Sequence, residues 1–210
     1  MQFEQFTYPS YEAPLLDAYG HRFEAAYVVL HPFVRVPEEL SWKATRQYPG
    51  DEQILARGKK CPWEEVTRET GLGNCARLNQ ALLTSIGSVA DHLCDYAGRD
   101  RLQSFLQEDA VWMPSEGRFE PLLQRDMLAA FEQAGARELV YVPEFPQSDP
   151  VVRLSVPELR DGTMPFPPRG SLVDPAGSFL FTVDWDSFFT LFYGTREFIG
   201  EVAGSRGIEG

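Results

Sequence analysis

The stretch FLFTVDWDSFFTLFY, from Phe179 to Tyr193, constrains this fold more than any other part of the chain. Two β-branched and aromatic runs of strand length flank a short polar centre, which is the pattern of a β-hairpin. Folding the run about Asp186 sets Thr182 opposite Thr190, Phe181 opposite Leu191, Phe179 opposite Tyr193 and Val183 opposite Phe189. One face then carries Phe179, Phe181, Val183, Phe189, Leu191 and Tyr193, all apolar or aromatic. In this register Trp185, Asp186 and Ser187 form the loop and Asp184 ends the first strand. Asp and Ser are turn residues because their side chains bond local backbone amides, so the structural reading of the pair Asp184 and Asp186 is a polar turn. The functional reading is a carboxylate pair on a rigid hairpin, able to share a proton or hold a metal.

Upstream, LVYV and VVRLSV have strand length and composition, with the proline-rich EFPQSDP between them. MPFPPRGSLVDPAG, rich in Pro and Gly, reads as a surface loop and not a strand. The middle of the chain has helical spacing instead. DEQILARGKK has acids first and bases last, complementing the helix dipole. PWEEVTRE has Pro62 where a first-turn proline is tolerated and stops at Gly71. Asn74 caps CARLNQALLTSIGSVADHLCDYAG, whose apolar residues recur every three or four positions. Gly87 leaves open whether that segment is one helix or two, with Ser88 and Asp91 as signals for a fresh start. RDRLQSFLQE and FEPLLQRDMLAAFEQAGA follow, the latter stopping at Gly135. TREFIGEVAG makes a short final helix capped by Thr195.

The first fifty residues are ambiguous. SYEAPLLDAYG fits a short helix ended by Gly20, and FEAAYVVLHPFVRVP fits either a strand or a buried helix limited by Pro32 and Pro37. Helices ahead of strands indicate an α+β fold, with a helical N-terminal half packed on a C-terminal antiparallel sheet that includes the aromatic hairpin. The expected organisation is one globular domain over residues 1–210, helix-rich from about 10 to 135, strand-rich from about 139 to 194, with a helix at about 195–203.

Charge is the composition signal that bears on partners. Nineteen basic residues against thirty-one acidic give a net charge of −12, with a pI near 4.7. That field repels phosphate backbones and anionic lipid, which argues against nucleic acid and against a membrane surface. It favours solubility, or steering toward a basic protein partner. Three cysteines, Cys61, Cys75 and Cys94, with no CxxC pair fit a reducing cytoplasm. The N-terminal residues carry acids where a signal peptide needs bases, and no apolar run approaches a membrane span. A cytoplasmic location is expected. An unpaired edge on so aromatic a hairpin invites a covering helix or a second copy of the chain.

Other motifs weaken on inspection. GLGNCA, Gly71 to Ala76, matches a dinucleotide fingerprint but follows a helix, whereas that turn works only after a parallel strand. His92 and Cys94, two apart on a helix, point to different faces and cannot easily share an ion with Asp95. AGSRG at 203–207 has Ala where a nucleophile elbow needs Gly, and GDEQILARGKK lacks the P-loop spacing. His21 and His31 belong to no motif, and His31 beside Pro32 reads as a turn or packing residue. No cofactor and no metal site are expected.

HPFVRVP, YPGDEQILARGK, TSIGS and WDSFF, taken in that order, resemble a family of bacterial proteins known only as a domain of unknown function, the family numbered 2711. The resemblance runs from about His31 to Phe198. It implies a bacterial source and a single unit, and supplies no activity, substrate or catalytic residue.

Two functional readings follow. The favoured one is a non-enzymatic acidic module that binds a basic protein, with Trp185, Asp186, Phe188 and Phe192 as its contact surface. The other is a metal-dependent or carboxylate-based hydrolase of small molecules, in which Asp184 and Asp186 converge with His21, His31 or His92.

Overall fold

Residues 3–10, 12 and 14–210 are described by the computed structural model, and their secondary structure is mixed α and β. In chain order the strands are β1 (Ala25–Leu30), β2 (Phe33–Arg35), β3 (Lys59–Cys61), β4 (Val111–Trp112), β5 (Glu138–Val142), β6 (Val152–Ser155), β7 (Gly170–Val173), β8 (Leu180–Val183) and β9 (Phe189–Gly194). The helices are α1 (Trp42–Thr45), α2 (Asp51–Arg57), α3 (Trp63–Thr70), α4 (Cys75–Ile86), α5 (Tyr96–Glu108), α6 (Gln124–Gln133), α7 (Val156–Asp161) and α8 (Arg196–Arg206). These elements form two compact units, one from residues 1–31 with 115–210, the other from Pro32–Pro114.

The first unit is a six-stranded antiparallel sheet in the order β1-β9-β8-β7-β5-β6. Its two faces are both covered. On one, Phe179, Phe181, Val183 and Phe192 pack with Met127 and Phe131 of α6, Leu159 of α7 and Val202 of α8. On the other, Leu180, Leu191 and Tyr193 pack with Phe6 and Phe23 of the N-terminal segment. Every residue of β8 is consequently buried. Phe181 and Phe192 stack across the strands with ring centroids 4.3 Å apart, an aromatic pair of the kind that adds about 1 kcal/mol beyond its buried area.

The second unit contains a three-stranded antiparallel sheet in the order β3-β2-β4 together with α1 to α5. Phe33 of β2 meets Trp63 of α3 at 5.8 Å, and both are buried. The helical segment after Asn74 breaks at Gly87. The next α-helix is capped by Asp95, whose Oδ1 accepts the Gly98 N–H at 2.8 Å, rather than by Ser88. Asn74 caps α4 as expected, its Oδ1 accepting the Arg77 N–H at 2.9 Å. Asn74→Ala should lower the stability of this unit by about 1 kcal/mol. Urea unfolding followed at 222 nm measures it, and an unmoved midpoint would show that the bond contributes nothing.

Four expectations change. The N-terminal half is not simply helical: FEAAYVVLHPFVRVP forms strands β1 and β2, and β1 extends the sheet by pairing with β9. GSLV, placed in a loop by its Pro-rich surroundings, is β7 and pairs with both β5 and β8. The hairpin register is one residue away from the expected one: Phe181 faces Phe192, Thr182 faces Leu191 and Val183 faces Thr190. SYEAPLLDAYG yields only a 3-10 turn at Leu15–Asp17, while Tyr11 and Ala13 lie outside the described residues. Because β8 pairs with β7 and β9 with β1, neither hairpin strand offers a free edge. No helix among the described residues is long and apolar enough to cross a membrane.

Candidate functional site

The hairpin turn is built from its own polar side chains. The Ser187 N–H reaches the Asp184 carbonyl at 3.3 Å, and Ser187 Oγ donates to the same carbonyl at 2.8 Å. The Asp184 carboxylate accepts the backbone N–H groups of Trp185 and Asp186. This is the local bonding that favours Asp and Ser in turns. A second loop backs the tip: the Gly117 N–H donates to the Ser187 carbonyl at 2.9 Å. A Cβ on Gly117 would lie 1.9 Å from the Trp185 carbonyl oxygen, so the two backbones touch directly.

The four residues expected to form a contact surface separate here. Trp185 is 59% exposed and Asp186 is exposed, at the tip. Phe188 and Phe192 are buried, Phe192 within the helix-covered core. Both faces of the sheet are covered, so Phe192 is buried in either register, and the one-residue shift sets its ring beside Phe181.

Asp184 also lines a pocket of about 440 Å³, together with Thr7, Tyr8, Glu12, Glu144 and Gly170. Burial raises the Asp184 pKa above the usual carboxylate range, and Asp186 adds to the rise, while the two backbone N–H bonds oppose it. Burial, with the Asp184 charge behind it, pushes the Tyr8 phenol up as well. On the outer side of the turn the Glu116 carboxyl is raised by burial and by Asp186, and Arg169 counteracts this. The two aspartates thus act on each other electrostatically but face different surroundings.

No histidine is among the described residues lining this pocket. His21 is exposed and sits 3.3 Å from Asp17. His92 lies in a 3-10 turn of the second unit and is exposed. His31 is fully buried, as a packing residue would be, but with both ring nitrogens engaged: Nδ1 is 2.9 Å from the Ser115 carbonyl and Nε2 is 2.8 Å from Thr190 Oγ1. A carbonyl only accepts, so Nδ1 carries the proton and Nε2 accepts from the Thr190 hydroxyl. Ser115 in turn donates its N–H to the buried Glu120 carboxyl at 2.9 Å. Burial raises the Glu120 pKa against these bonds. This network of His31, Thr190, Ser115 and Glu120 was not apparent in the sequence, because its members are 84 and 159 residues apart or more conspicuous as helix signals. Only His31 beside Pro32 stood out, and for another reason.

The remaining motifs have structural uses. GLGNCA joins α3 to α4, and AGSRG ends α8. Cys94 Sγ rests 3.7 Å from the Ala90 carbonyl. Groups of three or more His, Cys, Asp and Glu side chains suited to a metal ion are absent among the described residues.

Comparison with known proteins adds a family and no activity. No solved structure matches the chain. The uncharacterized protein YwbB of Bacillus subtilis (strain 168) is 24% identical over 208 residues, spanning 94% of this chain and 90% of its own length. Residues 11–210 match the family described as "Protein of unknown function (DUF2711)". A match over that length bears out the resemblance carried by HPFVRVP, YPGDEQILARGK, TSIGS and WDSFF, and the chain belongs to the DUF2711 family.

Proposed function

We propose that this protein is a non-enzymatic binding module whose pocket at the foot of the aromatic hairpin takes a basic group of a protein partner. The observation that carries this reading is the convergence of Glu12, Glu144 and Asp184 on one pocket in a chain of net charge −12. Carboxylates gathered in a partly desolvated cleft repel one another, and a guanidinium or ammonium group between them relieves that repulsion. Burial raises the Asp184 pKa and the neighbouring Asp186 adds to the rise, and a cation bound in the pocket would oppose both. Trp185 and Asp186, exposed and next in sequence to Asp184, supply further contact surface, and the wider negative field supplies steering.

The sign of the pH dependence follows. A cation binds the ionised form of Asp184, so affinity rises with pH through its raised pKa and levels off above it. Hexa-arginine is a suitable probe, measured by calorimetry at low and moderate salt. Asp184→Asn and Glu144→Gln should each weaken binding about 10- to 150-fold, as expected for loss of one charge-assisted bond of roughly 1.5–3 kcal/mol. Glu52→Gln, which removes the same charge from the second unit, should leave binding unchanged. Equal weakening by all three variants would mean that net charge alone attracts the probe, and the pocket reading would fall.

A further inference from the structure

Helix α5 has two different outward faces. Asp100, Arg101, Ser104 and Glu108 line a charged groove. Gln103 and Gln107, one helical turn apart, instead line a second pocket of about 290 Å³ with Trp42, Ser85, Trp112 and Met113. That pocket lies wholly within the second unit and is independent of the acidic pocket described above. Its described lining contains no charged residue, in a chain where Asp, Glu, Lys and Arg make up 24% of positions.

The aromatic wall is fixed before any ligand arrives. Trp112 Nε1 donates to the Leu40 carbonyl at 2.9 Å, which sets the plane of the indole. Trp42 meets it edge-on at 5.8 Å and 79°, and Tyr48 meets it from another side at 5.3 Å and 67°. The Tyr48 hydroxyl donates to the Met113 carbonyl at 3.1 Å. The Arg46 guanidinium lies 5.6 Å over the Trp42 ring. Both indoles nevertheless stay half-exposed where they face the pocket. In the same lining, the carboxamides of Gln103 and Gln107 make no hydrogen bond with any other described residue. Side chains four apart on a helix stand about 5–6 Å from each other. The pair therefore presents donors and acceptors along one line.

We infer that this pocket binds an uncharged planar heterocycle, a free nucleobase or a nucleoside. The ring face stacks on an indole, as bases do on aromatic side chains. The ring edge pairs with a carboxamide, which matches the adjacent donor and acceptor of a base bidentately. A phosphorylated ligand is disfavoured by the protein's charge of −12, and the Arg46 guanidinium is already engaged over the Trp42 ring. The volume suits a ligand at the small end of those that pockets enclose.

The test is equilibrium binding of adenosine, uridine and AMP to the full chain, followed by ligand-observed NMR and indole fluorescence. Adenosine or uridine should saturate, with AMP at least about tenfold weaker. Trp42→Leu should weaken binding about 10- to 100-fold, and Gln107→Leu should weaken it while changing the preference between the two nucleosides. Trp42 and Gln107 are partly or fully exposed, and far-ultraviolet circular dichroism verifies that each variant is folded. No saturable binding of either nucleoside at millimolar concentration, or AMP binding as tightly as adenosine, would overturn the inference. Unchanged affinity in folded Trp42→Leu would do the same.

Discussion

Gly117→Ala should destabilise the protein by about 2–5 kcal/mol, from two additive causes. The residue sits at φ 63, and a Cβ there would lie 1.9 Å from the Trp185 carbonyl oxygen and 2.7 Å from its Cα. An alanine in the left-handed region costs about 1–2 kcal/mol for its backbone alone. Overpacking adds about 1–3 kcal/mol, at the upper end when the obstructing atoms are backbone and cannot rotate away. Gly135→Ala isolates the first cause, because Gly135 is at φ 76 and a Cβ added there would meet nothing within 4 Å. Urea unfolding of both variants should show Gly117→Ala losing at least twice what Gly135→Ala loses. Equal losses would mean that the hairpin tip yields freely, so that Trp185 and Asp184 are not held in place by the loop behind them. The emission of exposed Trp185 provides a second readout, since any shift of the tip changes its surroundings.

The hairpin itself was legible and its register was not, for a physical reason. Alternation reports register only where one face of a sheet is wet. Here α6, α7 and α8 cover one face while Phe6 and Phe23 cover the other, so all of β8 is buried and both registers look equally apolar. Stacking of Phe181 on Phe192 decides between them, and that contact has no signature in the sequence. β7 was hidden by composition: GSLV is four residues long between proline-rich flanks, and its neighbours β5 and β8 supply the pairing that makes it a strand. Local signals did better. Asn74 and Thr195 cap helices as their types require, since a cap depends only on residues three positions away.

The candidate pocket was half legible for the same reason. Asp184 and Trp185 announced themselves within a single turn, and Asp184 does bond the local amides that its turn role requires. Tyr8, Glu12 and Glu144 join Asp184 only because the N-terminal segment and the residue after Pro143 come to the same end of the sheet. Sequence proximity carries information about turns and caps. It carries none about which distant loops share one mouth.

Acidification from pH 7 to pH 4 should cost the fold about 3 kcal/mol through His31 alone. Burial lowers the His31 pKa from 6.5 to about 4, and the bond to the Ser115 carbonyl only partly offsets it. The folded state thus keeps the ring neutral at pH values where the unfolded chain takes up a proton. Above about pH 6.5 neither state is protonated and the contribution is complete; it is lost as pH falls toward 4, and below that both states carry the proton and the loss stops. The consequence is mechanical as well as energetic. Protonated Nε2 becomes a donor and can no longer accept from the Thr190 hydroxyl 2.8 Å away. His31 and Ser115 are also where the chain leaves and re-enters the first unit, so this bond fastens the two crossing points to each other. Glu120, Glu116 and Asp184 act with the opposite sign, because their raised pKa values let the folded state gain protons on acidification. Comparing the protein with His31→Asn cancels those shared contributions. The variant should be less stable at pH 7, and the gap between the two curves should close by about 3 kcal/mol between pH 6.5 and 4. If His31→Asn does not fold, the ring proton shifts of His31 in the unaltered protein report the same pKa by NMR. Parallel stability curves, or a ring titrating near 6.5, would mean that water reaches His31 and the crossing is not sealed.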